Sequence, residues 1–225
     1  MFTNEYLIAR DSDNPPPVIT DSGDAYSIKY EWEFEGTTWK YNAEVPKSLY
    51  EYYSGKPRTG NYDEYVLNSY DDELMQDIAS FIMVTADAEG WGESYYVPFA
   101  LSLVQSLPYK EDKITTGYDE YPRYPVETMV DNGGDCEDTS IFFTSIVREM
   151  GYGVSLLLLE EDKHMAAGVQ ISTSLIDGWS ENYDLTYYTD SDGDIYAYCE
   201  TTDTGWEFGE MPDGLSGEAD IIDVF

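Results

Sequence analysis

Two residue types capable of nucleophilic chemistry stand in suggestive company: Cys136, framed as Gly133-Gly134-Asp135-Cys136-Glu137-Asp138, and His164, the single histidine of the chain. A thiol and an imidazole together make a nucleophile and its base, and imidazole is the side chain whose unperturbed pKa lies nearest neutrality. The Gly-Gly-Asp lead-in predicts that Cys136 sits at the start of a helix over 135–150, with Ile141, Phe142, Ser145, Ile146 and Met150 along one stripe and Gly151 as terminator. A helix N-terminus lowers a thiol pKa. Asp135, Glu137 and Asp138 push it the other way, so this cysteine needs a nearby imidazolium to ionise near neutrality. A third group must orient that ring. In a strand over 195–201, Tyr196, Tyr198 and Glu200 share one face, and Ala197, Cys199 and Thr201 share the other. Glu200 is therefore the expected orienter, with Asp184 on the preceding strand as its rival. Cys199 is read as a packing residue and not as a disulfide partner of Cys136.

The elements that must position these groups follow from periodicity. Residues 28–34 and 39–45 alternate apolar and polar around Glu35-Gly36, a β-hairpin pattern. Apolar residues at helical spacing over 71–89, with Gly90 beyond, predict a helix, and 93–107 predicts a second with Pro98 in its first turn or marking a later start. The stretch from Pro108 to Pro125 is turn-rich and long enough to be functional, and Pro125 opens a short helix at N1. Beyond Gly151 the chain reads as strands over 154–159, 164–171, 182–189 and 195–201, the last two joined by the turn Ser191-Asp-Gly-Asp. The expected class is α+β, with a nucleophile helix on an antiparallel sheet. The expected organisation is a mobile lead-in over 1–25, a hairpin appendage over 26–68 packed on the core, and a catalytic domain over 69–225.

Composition narrows the partners. Forty-six Asp and Glu against 11 Lys and Arg give a formal charge of -35, which argues against nucleic acid and anionic membrane surfaces. The carboxylates are spread along the chain, a pattern suited to a salt-rich, halophilic setting that screens self-repulsion. No apolar run approaches the roughly 18 residues of a membrane helix, and the N-terminus lacks a signal-peptide pattern. As written, the chain reads as a soluble, cytoplasmic monomer, or as a piece of a cell-surface protein. No cofactor or metal is expected. The run from Asp190 to Asp194 has Ile195 where a calcium loop needs Gly and Thr201 where it needs Glu, and one histidine with two separated cysteines falls short of a structural zinc site.

The motifs Gly133-Gly-Asp-Cys136-Glu-Asp-Thr-Ser-Ile, Val147-Arg-Glu-Met-Gly151-Tyr, His164-Met-Ala-Ala-Gly-Val and Tyr198-Cys-Glu200-Thr-Thr resemble, in that order, the transglutaminase-like superfamily of cysteine enzymes with a papain-like core. The resemblance spans roughly residues 70 to 210. Val104-Gln-Ser-Leu-Pro-Tyr109 and Tyr121-Pro-Arg-Tyr-Pro-Val-Glu-Thr-Met129 are similar to an uncharacterised archaeal subgroup of it. It implies Cys136 as nucleophile, His164 as base, and Glu200 where the family usually carries Asp in an Asp-x-Thr pattern. The oxyanion would be met by the Cys136 backbone N–H, with the Gln105 side-chain amide, or alternatively Tyr109, as second donor. The implied activity is acyl transfer through a thioester on a peptide or protein substrate. Hydrolysis by a peptidase or amidase is expected ahead of transglutaminase cross-linking, since water needs no second binding site. The alternative from another class is a non-catalytic scaffold domain that keeps the fold.

Overall fold

The computed structural model describes residues 17–118, 120–172 and 185–224. Period-two alternation puts Ile28, Tyr30 and Trp32 on one face of a ribbon, and these three side chains are buried. β1 (Val18–Asp21), β2 (Ala25–Phe34) and β3 (Thr37–Pro46) form an antiparallel sheet in that order. Glu35 and Gly36, both at positive φ, make the tight turn between β2 and β3, as a primed hairpin turn requires. Part of the expected lead-in is thus a strand: Val18–Asp21 pairs with Tyr26–Lys29. Four residues carry too little periodicity to announce it.

The helices follow. α1 (Lys47–Ser54) and α2 (Asp63–Val66) lead into α3 (Asp72–Ala88), and a 3-10 turn over Glu93–Tyr95 runs into α4 (Tyr96–Gln105). Pro98 falls in the first turn of α4, where backbone N–H groups have no intrahelical partner to lose. α5 (Asp112–Thr115) lies inside the turn-rich stretch, α6 (Pro125–Val130) starts on its proline, and α7 (Cys136–Glu149) follows at once. Then come β4 (Val154–Leu159), a 3-10 turn over Glu160–Asp162, β5 (His164–Ile171), β6 (Tyr187–Thr189), β7 (Ile195–Cys199) and β8 (Asp220–Val224). These strands make one antiparallel sheet in the order β6-β7-β5-β4-β8. The described chain is α+β.

α7 is the centre of the molecule. The sequence predicts one apolar stripe on it, yet every residue from Cys136 to Val147 is buried. The reason is its surroundings: α3, α4 and α6 pack against it together with β4 and β5, and a helix enclosed on all sides has no solvent face. Its polar residues Thr139, Ser140, Thr144 and Ser145 are therefore interior groups. The β1–β3 sheet closes over α4, where Phe99 packs on Trp32 and Phe34 at centroid distances of 5.6 and 5.1 Å. The Trp32 indole N–H donates to Ser102 Oγ at 3.1 Å. The apolar face of the hairpin belongs to the same core as the helices.

One buried carboxyl in this core gives a pH-dependent stability. Asp71, at the N-cap position of α3, makes no side-chain cap hydrogen bond. Instead it accepts from Tyr53 Oη at 2.7 Å, and its Oδ2 is buried with no partner among the described residues. Burial lifts its pKa from 3.8 to about 6, against the lowering effect of the Tyr53 hydrogen bond. A folded-state pKa raised in this way contributes stability that is fully present below about pH 4 and is lost as the pH rises through about 6. Asp71→Asn removes the penalty of ionisation. The variant is expected to gain on the parent above pH 6, by at most about 3 kcal/mol for a shift of this size, and to gain nothing at pH 4. Urea midpoints at the two pH values check this, and an equal difference at both would contradict it.

Candidate active site

The Gly-Gly lead-in is a steric requirement. Gly133 has φ +107°, and a Cβ there would overlap the Pro108 carbonyl oxygen, while a Cβ on Gly134 would overlap the Asp138 carboxylate. Gly134 forms a bridge to Tyr109, and its carbonyl accepts from Lys110 N–H at 2.8 Å. The start of α7 is so pinned to the turn-rich stretch. Asp138, three residues on, accepts from the Asp135 N–H at 3.3 Å, as a capping residue at N3 does.

Hydroxyl groups on α7 then lock it to the sheet. Thr139 Oγ1 and Ser140 Oγ lie 2.9 and 3.0 Å from Thr201 Oγ1, just beyond β7, and Ser140 Oγ donates to the Met165 carbonyl on β5 at 3.2 Å. These bonds put the first turn of α7 against the start of β5, which carries His164, and the end of β7, which Glu200 follows directly. Cys136, His164 and Glu200 are all fully buried.

His164 Nε2 lies 2.9 Å from Glu200 Oε2 and 3.2 Å from Tyr198 Oη. The Tyr198 hydroxyl itself donates to Glu200 Oε2 at 2.7 Å. On the other carboxylate oxygen, Oε1, the Thr202 N–H and O–H both donate, at 3.1 and 2.6 Å. Burial pushes the Glu200 carboxyl up, but His164 and the hydrogen bonds from His164, Thr202 and Tyr198 outweigh it and hold the pKa below the usual range. Glu200 stays ionised and the Nε2 side of the ring is fixed. Nδ1, on the other side, is buried with no hydrogen-bond partner among the described residues. A ring nitrogen in that condition costs stability unless it is used.

Cys136 lies near the next residue along β5, Met165, whose backbone N–H favours its thiolate. Burial acts more strongly in the opposite sense, and Glu137 and Asp135 add to it, so the thiol lies well above its ordinary pKa. Its Sγ donates to Glu137 Oε2 at 3.3 Å. The acidic neighbours flanking Cys136 in sequence are therefore a secondary cause, behind burial. Burial pushes Asp135 up to about 12, aided by the charges of Asp138 and Glu137, and pushes Glu137 up as well, aided by Asp138 and Glu120. For the thiol too, desolvation is the leading cause and the charges of Glu137 and Asp135 come after it.

The third acidic neighbour behaves differently because it has a cation. Arg123, nearly inaccessible, reaches Asp138 Oδ2 with Nη1, Asp112 Oδ1 with Nη1 at 2.8 Å and Asp131 Oδ2 with Nε at 3.2 Å. Its backbone N–H donates to Asp138 Oδ1 at 2.6 Å. Burial raises Asp138 to about 7, the Arg123 charge opposing it. Asp112, Asp135 and Glu137 bring one carboxylate oxygen each within 4.8 Å of one another.

Gln105 is placed otherwise than expected. Its amide donates to the Glu200 carbonyl at 2.8 Å and to the Trp206 carbonyl at 3.0 Å. An amide nitrogen has two N–H bonds, so none is left for an oxyanion. Gln105 is a brace that ties α4 to the segment after β7, which is why a polar residue is buried there. Tyr109, the alternative donor, is exposed. Burial and the nearby charges of Cys136, Asp135 and Glu137 raise its hydroxyl pKa. Cys199 and Cys136 are both free and buried. Asp184 lies outside the described residues. At the turn after β6, Asp190 Oδ1 accepts the backbone N–H groups of Asp192 and Asp194 at 2.9 Å each, the arrangement of a turn.

Sequence reasoning missed Tyr198, Thr202, Thr201 and Arg123 as parts of the site. The alternation placing Tyr198 on the face of Glu200 was a usable signal for the first, and the Glu-x-Thr spacing was one for Thr202. Nothing in the local pattern marks Arg123, since its partners sit on α5, just after α6 and on α7. No family model matches the chain, and no curated protein matches it. No helix among the described residues is long and apolar enough to cross a membrane.

Proposed function

We propose that the chain is a cysteine-dependent acyl-transfer enzyme with a papain- and transglutaminase-like core, acting as a peptidase or amidase. The observation that carries this reading is the divided histidine: Nε2 is held by an ionised, buried Glu200 while Nδ1 has no partner among the described residues, and Met165, the next residue on β5, has its N–H near enough to Cys136 to favour the thiolate. In the proposed reaction His164 Nδ1 takes the thiol proton as Cys136 Sγ bonds to the substrate carbonyl carbon. The backbone N–H of Cys136 meets the developing oxyanion. The proton then passes to the leaving nitrogen as the C–N bond breaks, releasing an amine and leaving a thioester. Water adds to that thioester with His164 as base, the C–S bond breaks, and a carboxylic acid and the free thiol result. The raised thiol pKa fits a proton transferred during attack rather than a thiolate formed beforehand.

Entry requires movement, because Cys136 has no exposed surface. Tyr62, half-buried, and Tyr109, exposed, lie near enough for their hydroxyls to feel the thiol charge. The same burial favours a second reading, a scaffold domain whose cysteine is a core residue. p-Nitrophenyl acetate separates the two. The enzyme reading expects one acetyl group trapped on Cys136, mapped by mass spectrometry of the digested protein, and its loss in Cys136→Ala. Acetyl on Cys199, or none on either cysteine, favours the scaffold.

A further inference from the structure

Glutamate is a longer and less constrained orienter than aspartate, and something must fix it. Four donors do so here. Oε2 takes the Tyr198 O–H at 2.7 Å and faces His164 Nε2 at 2.9 Å, and Oε1 takes the Thr202 N–H and O–H at 3.1 and 2.6 Å. Tyr198 also stands 3.2 Å from Nε2, so Nε2, Oε2 and Oη form a closed triangle. All four side chains are buried, and buried hydrogen bonds to an ionised group are the strong class.

We infer that Tyr198 and Thr202 are positioning residues that make a glutamate serve as orienter, Tyr198 by fixing both the Glu200 carboxylate and the rotation of the His164 ring, and Thr202 by fixing the far carboxylate oxygen. This rests on the acyl-transfer reading. Tyr198 precedes Glu200 by two residues on one extended segment, so its phenol lies alongside the carboxylate, as period two dictates. Its hydroxyl gives its proton to Oε2 and keeps a lone pair for Nε2–H. The ring proton is then shared between two acceptors, and turning the ring over would break both contacts. With the proton held on Nε2, Nδ1 is left as the base.

The test uses Tyr198→Phe in the full chain, with acetylation of Cys136 by p-nitrophenyl acetate as readout. The acetylation rate at saturating ester is expected to fall about tenfold, the effect of one strong hydrogen bond, with the half-saturating ester concentration unchanged within twofold. The acid limb of the pH profile should move to higher pH, since Glu200 loses a donor that favours its ionised form. In a Glu200→Gln background, Tyr198→Phe should cost less than threefold more. Thr202→Ser should keep the wild-type rate, and Thr202→Val should lose it. Because the chain has one histidine, a 15N-histidine NMR spectrum reports a single ring, and Tyr198→Phe should turn one tautomer into a mixture. Full loss in the Glu200→Gln background, or an unmoved acid limb together with an unchanged tautomer, overturns the inference. Those results leave the enzyme reading intact so long as acetylation still maps to Cys136. Acetylation that survives Cys136→Ala sinks the enzyme reading, whereas the tautomer of the ring still judges the positioning of His164 by Tyr198.

Discussion

His164→Ala is expected to slow acetylation of Cys136 by p-nitrophenyl acetate by about 10²–10⁴-fold, the range for loss of a positioned general base. The size follows from the state of the thiol. Burial first, then Glu137 and Asp135, push Cys136 well above the ordinary thiol pKa, so almost none is ionised near neutrality without a base to take the proton. The pH dependence should change as well. In the variant the rate depends on spontaneous ionisation and should climb with pH through the alkaline range. In the parent it should level off once the base is deprotonated. Stopped-flow rates from pH 5 to 10 measure both, with a thermal melt to establish that the variant folds. A folded variant within threefold of the parent at neutral pH would remove His164 from the mechanism.

The largest effect on stability should come from Arg123→Met. The guanidinium has three carboxylates around it and accepts nothing. Its removal leaves Asp112 and Asp138 buried without a counter-charge, and breaking such a group costs about 3–5 kcal/mol. For a domain of this size that corresponds to a fall in Tm of about 6–20 °C. The sign with pH is fixed. Without Arg123 both carboxyls rise further above their unfolded pKa values, so the variant loses most at pH 8 and regains part of the loss at pH 5, where they can take up protons. The loss should persist at 1 M salt, which screens surface pairs but reaches buried ones poorly. Arg123→Lys should recover only part, because one ammonium cannot reproduce the fork that spans Asp112, Asp131 and Asp138. Equal urea midpoints for parent and Arg123→Met at pH 8 would contradict this account. In a chain of net charge -35, an arginine spent on the interior indicates how much the start of α7 depends on it.

Sequence alone determined the local elements and the chemical types at the site. Alternation in β2 and β3, helical spacing in α3 and the apolar runs of β4 and β5 are set by the two side-chain periods, and those elements lie where the pattern places them. The placing of Tyr198 and Glu200 on one side of an extended segment, β7 and the residue after it, followed from period two as well. What local pattern could not carry was the choice of partners at long sequence separation. β8 returns to the edge beside β4, and five residues give no sign of which edge they will join. The full enclosure of α7 depends on the helices and strands around it, so its interior threonines and serines read as a polar face until packing turns them into the bonds that hold Thr201 and Met165. Gln105 illustrates the same limit: an amide before a loop looks available for an oxyanion, and only the tertiary structure delivers two carbonyls to its two N–H groups. Residue type fixes which bonds a side chain can make. Burial and the arrival of distant backbone decide which it does make, and hence whether a buried group such as Glu200, Asp135 or the Cys136 thiol carries its charge or its proton.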